Sequence, residues 1–347
     1  MKAAVMHEYD EALTKPEWVI YQDVPEPKIE KQNDVIVRIG AAGVCRTDLH
    51  IIEGIWRNHA EVELPHILGH ENAGWVEEVG PAVEHVKVGD AVIVHPLATD
   101  GTSLACRRGN DMHAAESYFP GINANGGYAE YLKTNARTLI KLPDNLAPKD
   151  VAPHTDAGLT AYRACKKASR HLLPGQYAVM IGAGGLGHIG IQCLKALCAA
   201  EIIVTDKSQM ALDLAKEVGA EHTVLADEHV VEEVLAITGG HGAEAVLDLV
   251  AEGDAVEQGL AMTRNDGFYY IVGYGGKVEI PTIDMITTER TIVGNLVGTY
   301  PELVELMALA ERGLVELSVQ EYSLSQANQA LKDLHHGKVR GRAILIP

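Results

Sequence analysis

The chain has 347 residues, 47% of them apolar, and a formal net charge of −19. One core of ordinary size does not extend over so long a chain, so two domains are expected. The acidity repels polyanions, which argues against nucleic acid as a partner. No apolar run approaches the ~20 residues that cross a bilayer, so no membrane partner is expected.

The opening Met1–Glu8 lacks the basic-then-apolar pattern of a secretory signal and is expected to form a first β-strand. Up to about residue 150 the pattern is short β-type runs broken by Gly, Pro and Asp, such as 34–39 (DVIVRI), 74–79 (GWVEEV) and 90–94 (DAVIV). These predict a compact, mostly antiparallel β domain. From 177 the rhythm changes: an apolar strand over 177–181, a Gly-rich turn, a helix over 189–199, a strand over 202–205, a helix over 210–218 ending at Gly219, then strands over 245–250 and 268–272. Strand–helix alternation implies a parallel sheet covered on both faces, an α/β domain. A helix over 302–312 and a strand-like tail over 342–346 close the chain, and a cleft is expected between two closely packed parts.

Gly182-Ala183-Gly184-Gly185-Leu186-Gly187 directly follows the strand over 177–181 and opens a helix. Glycines there permit a tight turn and let backbone N–H groups approach a pyrophosphate at the positive end of the helix. The next strand ends at Asp206, 206 − 187 = 19 residues past the last glycine, where a carboxylate bonds the adenosine ribose hydroxyls. Such a carboxylate repels a 2′-phosphate, so NAD is expected over NADP, although the adjacent Lys207 gives NADP some purchase.

Two segments of the β domain carry metal-type donors: Gly43-Val44-Cys45-Arg46-Thr47-Asp48-Leu49-His50 and Gly69-His70-Glu71. Thiolate and imidazole are what zinc prefers, and a catalytic zinc takes three protein ligands and keeps one position open. A third ligand is sought in 153–158 (PHTDAG). No Cys-x-x-Cys or His-Glu-x-x-His spacing marks a metal by itself, so spacing alone leaves Cys45 open to a structural role. The five cysteines, at 45, 106, 165, 193 and 198, are odd in number and scattered. That is no disulfide framework, and a reducing compartment, the cytoplasm, is the expected location.

In order along the chain, GVCRTDLH, GHENAG, HVKVGDAVIV, GGYAEY, TDAGLTAYRA, IGAGGLGHIGIQ and RGRAILIP resemble the zinc-dependent medium-chain alcohol dehydrogenases, particularly the bacterial and archaeal NAD-linked type active on secondary alcohols. The resemblance implies a GroES-like catalytic domain over 1–152, a Rossmann domain with a doubly wound parallel sheet over 153–295, and a segment over 296–347 returning to the first. It implies Cys45, His70 and Asp156 as zinc ligands, the last a cysteine in many relatives, with Glu71 as a transient ligand. Asp48 resembles the carboxylate that orients the histidine ligand. Arg46 and Arg342 resemble the arginines that pair with the cofactor pyrophosphate. Thr47 and His50 resemble a relay that carries the alcohol proton to solvent while NAD takes the hydride; an N-cap role for Thr47 and a surface role for His50 are the alternatives.

One stretch departs from the family. Where many relatives hold a structural zinc on four cysteines, this chain has Asp100, Ser103, Cys106 and Ala114. One thiolate does not hold a closed tetrahedral site, so one zinc per subunit is expected and hydrogen bonds or apolar packing should hold the lobe. A repurposed site of Asp100, Cys106, Asp111 or His113 is the alternative. By resemblance Thr47, Trp56, Tyr118, Leu296 and Val297 lie near the substrate. Leu296 and Val297 would favour an apolar or aromatic secondary alcohol over a sugar, whose hydroxyls need polar partners. A polyol, sugar or amino-alcohol dehydrogenase with the same cofactors, and a protein that binds NAD without using it, are the rival readings. A homo-oligomer is expected, a tetramer over a dimer, through a strand near 291–296.

Overall fold

The computed structural model describes residues 1–60 and 62–347. They form two compact units: Met1–Ala157 with Gly298–Arg312 and Leu317–Pro347, and Gly158–Val297 with Gly313–Glu316.

The first unit is built on the strand Asp34–Val44, which is buried along nearly its whole length. It pairs antiparallel with Glu71–Val79 on one side and with Tyr131–Asn135 and Arg342–Ile346 on the other. Ala91–Val94 and Leu139–Lys141 extend one flank, and Val319–Ser323 closes the other, parallel to the C-terminal strand. A second, three-stranded sheet has Lys2–Met6 between Ile20–Asp23 and His66–Ile67. Ala4, Met6, Val37, Leu49, Ile51, Leu68, Tyr128 and Leu345 belong to the core they enclose. The strand Arg342–Ile346 coincides with the strand-like tail expected there, and its partner is explicit: Ala343 is opposite Val44 and Leu345 opposite Ala42.

The second unit is a parallel six-stranded sheet. Its order is His222–Leu225, Glu201–Asp206, Tyr177–Ile181, Ala243–Asp248, Thr263–Ile271 and Thr291–Gly294. The strand order reverses beside Tyr177–Ile181, the switch point outside whose carboxyl end such sheets bind ligands.

Element bounds differ from the sequence reading for local reasons. The strand expected over 245–250 covers Ala243–Asp248, because Asp248 Oδ1 accepts the N–H groups of Val250 and Ala251 and turns the chain. The helix expected from 302 starts at Tyr300, because Thr299 caps it: Glu302 N–H donates to Thr299 Oγ1 at 3.2 Å, and Thr299 N–H donates to the Glu302 carboxylate at 2.8 Å. The 3₁₀ turn Ala152–Thr155 lies in the first unit, whereas the sequence reading opened the second domain at 153. Thr155 Oγ1 donates to Asn72 O at 3.2 Å, which ties that turn to the β structure.

Candidate active site

Four side chains of the first unit converge although they are far apart in sequence. Ligating atoms of Cys45, His70, Glu71 and Asp156 all lie within 4.8 Å of one another, the first three buried. Strand register brings the first three together, because Gly43 is opposite Glu71. Gly43 must lack a Cβ, which would stand 1.8 Å from Glu71 Oε2. Cys45 follows the long strand and stands at the N-cap of the helix Arg46–Ile52 with extended backbone, φ −114° and ψ 154°. Asp156 precedes the helix Ala157–Ala168 and is positioned by the tethered 3₁₀ turn.

Asp48 Oδ2 accepts the Cys45 N–H at 2.8 Å and the Tyr128 hydroxyl at 2.8 Å. Its Oδ1 lies 3.3 Å from His70 Nδ1, and His70 Nε2 lies 3.5 Å from Asp156 Oδ2. His70 Nδ1, His70 Nε2 and Asp48 Oδ1 are buried without a hydrogen bond. Burial disfavours a charged imidazole at His70, but Asp48 and Asp156 outweigh it and raise its pKa well above the ordinary value. The Phe119 ring meets His70 edge-on, with centroids 5.8 Å apart.

A buried polar atom without a partner costs ~1–3 kcal/mol, and native cores keep few. Here the bare atoms sit in a thiolate, imidazole and carboxylate set, the donor chemistry of zinc. A metal that takes His70 Nε2 also draws the ring's other N–H onto Asp48. The residues fit a zinc ion.

Arg342 was expected at a cofactor pyrophosphate. Within the chain it is buried, with Nε donating to Glu71 Oε2 at 3.0 Å and Nη2 to Glu71 Oε1. The cause is charge: a carboxylate without exposure requires a cation, and the fork of Arg342 matches it. Glu71 Oε1 also accepts the Ala157 N–H at 2.9 Å.

Thr47, half-buried, and His50, buried, share the helix Arg46–Ile52. Burial, reinforced by the Arg46 guanidinium, lowers the His50 pKa to about 4, and Arg46 Nε donates to His50 Nε2 at 3.4 Å. Trp56 packs against the core of this unit. Tyr118 lines two surface cavities of 740 and 600 Å³ whose walls include none of the four clustered residues; its neighbour Phe119 is the one against His70.

In the second unit Gly182 turns the chain with φ +93°, and a Cβ on Gly187 would stand 2.1 Å from Gly182 O. Gly184 is exposed with open space around it, and Gly185 and Leu186 are half-exposed, leading into the helix Gly187–Leu197. This is the form of a phosphate cradle. Asp206 Oδ2 accepts the Ala183 N–H at 2.7 Å, which puts the carboxylate against the turn; Lys207 is exposed. Leu296 is 52% exposed, and Val297 is buried with φ +42°.

The Asp100–Ala114 lobe is held by side-chain hydrogen bonds. Ser103 Oγ donates to Cys106 Sγ at 3.1 Å, and Thr99 Oγ1 donates to Asp111 Oδ1 at 2.5 Å. Arg137 Nη2 reaches Asp111 Oδ1 at 3.1 Å and Cys106 O at 3.3 Å. Among the described residues, the Cys45 cluster is the one group of three or more candidate metal ligands.

Sequence reasoning missed Tyr128 and Phe119 at this site. GGYAEY carried Tyr128 in plain view, but its partner Asp48 is 80 positions away.

Comparison with known proteins agrees in both units. Residues 31–144 match the family described as alcohol dehydrogenase GroES-like domain, and residues 185–312 that described as zinc-binding dehydrogenase. The crystal structure of the alcohol dehydrogenase from the hyperthermophilic archaeon Aeropyrum pernix matches with a TM-score of 0.95 at 45% identity, covering 100% of both chains. The NAD-dependent alcohol dehydrogenase of Sulfurisphaera tokodaii is 38% identical over 94% of this chain and 96% of its own length. The D-arabinose 1-dehydrogenase (NADP(+)) of Saccharolobus solfataricus is 34% identical over 100% and 97%. With both family models matched and full-length relatives above 30% identity, this chain belongs to the zinc-type medium-chain alcohol dehydrogenases.

Proposed function

We propose that the protein is an NAD-dependent alcohol dehydrogenase that interconverts small secondary alcohols, apolar or aromatic, with their ketones, using one catalytic zinc per subunit. The observation that carries this reading is the pair of buried, bare ring nitrogens of His70 inside the cluster of Cys45, His70, Glu71 and Asp156. When bound, zinc supplies a Lewis acid that lowers the pKa of an alcohol oxygen, and NAD supplies the hydride acceptor.

Cys45, His70 and Asp156 hold the ion, and Asp48 orients His70. Glu71 stands beside them as a ligand in reserve, its carboxylate held by Arg342. Thr47 Oγ1 receives the hydroxyl proton and His50 passes it towards solvent. With its pKa lowered to about 4, His50 is neutral at pH 7, and its Nε2 lone pair, which accepts the Arg46 Nε–H, takes the proton as that bond yields. Gly182, Gly184, Gly185, Leu186 and Gly187 cradle the pyrophosphate, Arg46 adds a cation, Asp206 takes the ribose hydroxyls and Lys207 borders them.

The substrate class rests on the apolar Phe119 edge against His70, which offers no polar partner for a polyol. The S. solfataricus relative, named for D-arabinose and NADP, makes a sugar the reading to exclude. NADH formation with 1-phenylethanol and with D-arabinose is the test. A kcat/KM higher by about 100-fold or more for 1-phenylethanol supports the assignment; a preference for D-arabinose overturns it.

The subunits associate as a homo-oligomer, a tetramer over a dimer. Among the described residues the strand Thr291–Gly294 pairs on one edge only, and Ile283 and Ile286, just before it in the chain, are 62% and 71% exposed. An unpaired edge beside exposed apolar side chains suits a second copy. Five unpaired cysteines favour the cytoplasm as its location.

A further inference from the structure

Three segments meet at the Asp48 carboxylate. Its Oδ2 accepts two hydrogen bonds of 2.8 Å, from the backbone of Cys45 and from the phenol of Tyr128. Its Oδ1 accepts none and faces His70 Nδ1 at 3.3 Å. One oxygen is therefore pinned, and the other is kept for the imidazole.

Tyr128 is itself tightly held. It is fully buried, its N–H donates to Leu68 O at 3.0 Å, and its carbonyl accepts the Ala4 N–H at 2.8 Å. Its ring lies against Gly69, the residue before His70, so closely that a Cβ there would stand 2.3 Å from Tyr128 Cδ1. Gly69 accordingly has φ +96°, open to glycine and strained for other residues. One side chain thus touches the backbone that leads into His70 and the carboxylate that faces its ring.

We infer that Tyr128 is a positioning residue of the metal centre: its hydroxyl fixes the Asp48 carboxylate, and Asp48 in turn fixes the ring plane and tautomer of His70, leaving Nε2 for the ion. The inference rests on the zinc reading above and extends it to a residue outside the ligand set. Partners that orient a ligating histidine in this way typically contribute ~10–100-fold to metal affinity.

The test is a double-mutant cycle read by metal affinity rather than turnover. Tyr128→Phe keeps the ring packing and removes only the hydroxyl; Asp48→Ala removes the acceptor. Zinc affinity is measured by chelator competition, with the Co(II) d–d spectrum as a reporter of coordination. Tyr128→Phe should weaken zinc by about 10-fold or more and shift the Co(II) bands. The same change in the Asp48→Ala background should matter less than about 2-fold, because the route to His70 is already cut.

Unchanged affinity in Tyr128→Phe, or an equal loss in both backgrounds, overturns the inference while leaving the zinc reading intact. Wild-type protein that binds neither zinc nor Co(II) overturns both. Should Tyr128→Phe fail to fold, fluorotyrosine at position 128, a stronger donor of the same shape, gives the reading. A shifted Co(II) spectrum supports the inference and an unshifted one contradicts it.

Discussion

In the Asp100–Ala114 lobe, Cys106, Asp111 and the neighbouring Thr99 are buried and every one is bonded: thiol to Ser103, carboxylate to Thr99 and Arg137. Around Cys45, in the same unit, Asp48 Oδ1 and both nitrogens of His70 are equally buried and bare. The two regions hold similar residue types and differ in what finishes them. The lobe supplies its own cation in Arg137, and its polar account closes within the chain. The cluster closes only when something electropositive is added. A buried polar set that its own chain leaves incomplete marks a ligand site better than residue type alone.

The sharpest break of this comparison is Cys45→Ala. It should abolish tight zinc binding and lower turnover by roughly 10³-fold or more, several kcal/mol of metal assistance. Zinc content and NADH formation check it, and retained zinc would remove Cys45 from the ligand set. Arg342→Met comes next. It strands Glu71 as a fully buried charge, at about 3–5 kcal/mol of stability, readable by urea unfolding. A loss below 1 kcal/mol would mean that Glu71 is held neutral.

In the lobe, Arg137→Met should cost less, about 1 kcal/mol, because Arg137 is 43% exposed. It should also change the acid limb of stability. Burial pushes the Asp111 carboxyl up, but the Thr99 hydrogen bond and Arg137 outweigh it and hold it below its ordinary value. Asp111 therefore contributes stability above its unfolded pKa, and that contribution is lost as pH falls through the lower folded value. Unfolding midpoints followed from pH 6 to 3 should fall less steeply in Arg137→Met; parallel curves would show that the pair does not matter.

Smallest in stability but diagnostic for the second unit is Asp206→Ala. The preference for NAD over NADP should narrow, on the order of tenfold, in paired kinetics with the two cofactors. An unchanged ratio would confine Asp206 to bracing the glycine turn.

The glycine turn and Asp206 were legible in the sequence because strand, turn, helix and acid follow one another within thirty residues. The metal cluster was legible only through family likeness. Cys45, His70 and Asp156 meet through strand register and a tethered turn, and no local spacing encodes either. Arg342 shows the limit most clearly. Its position in the C-terminal strand was plain, yet its partner depends on which strand that tail joins. Joining Asp34–Val44 aims it at Glu71. Tyr128 went unread for the same reason, since a hydroxyl that acts on a carboxylate across the fold leaves no periodic signal.

The most direct test of the account is zinc per subunit by elemental analysis on protein never exposed to chelator, repeated for Cys45→Ala. About one zinc is expected in the wild type and none in the variant. Two zincs in the wild type, or one remaining in Cys45→Ala, would contradict it, since a second ion could only mean that the lobe binds metal after all.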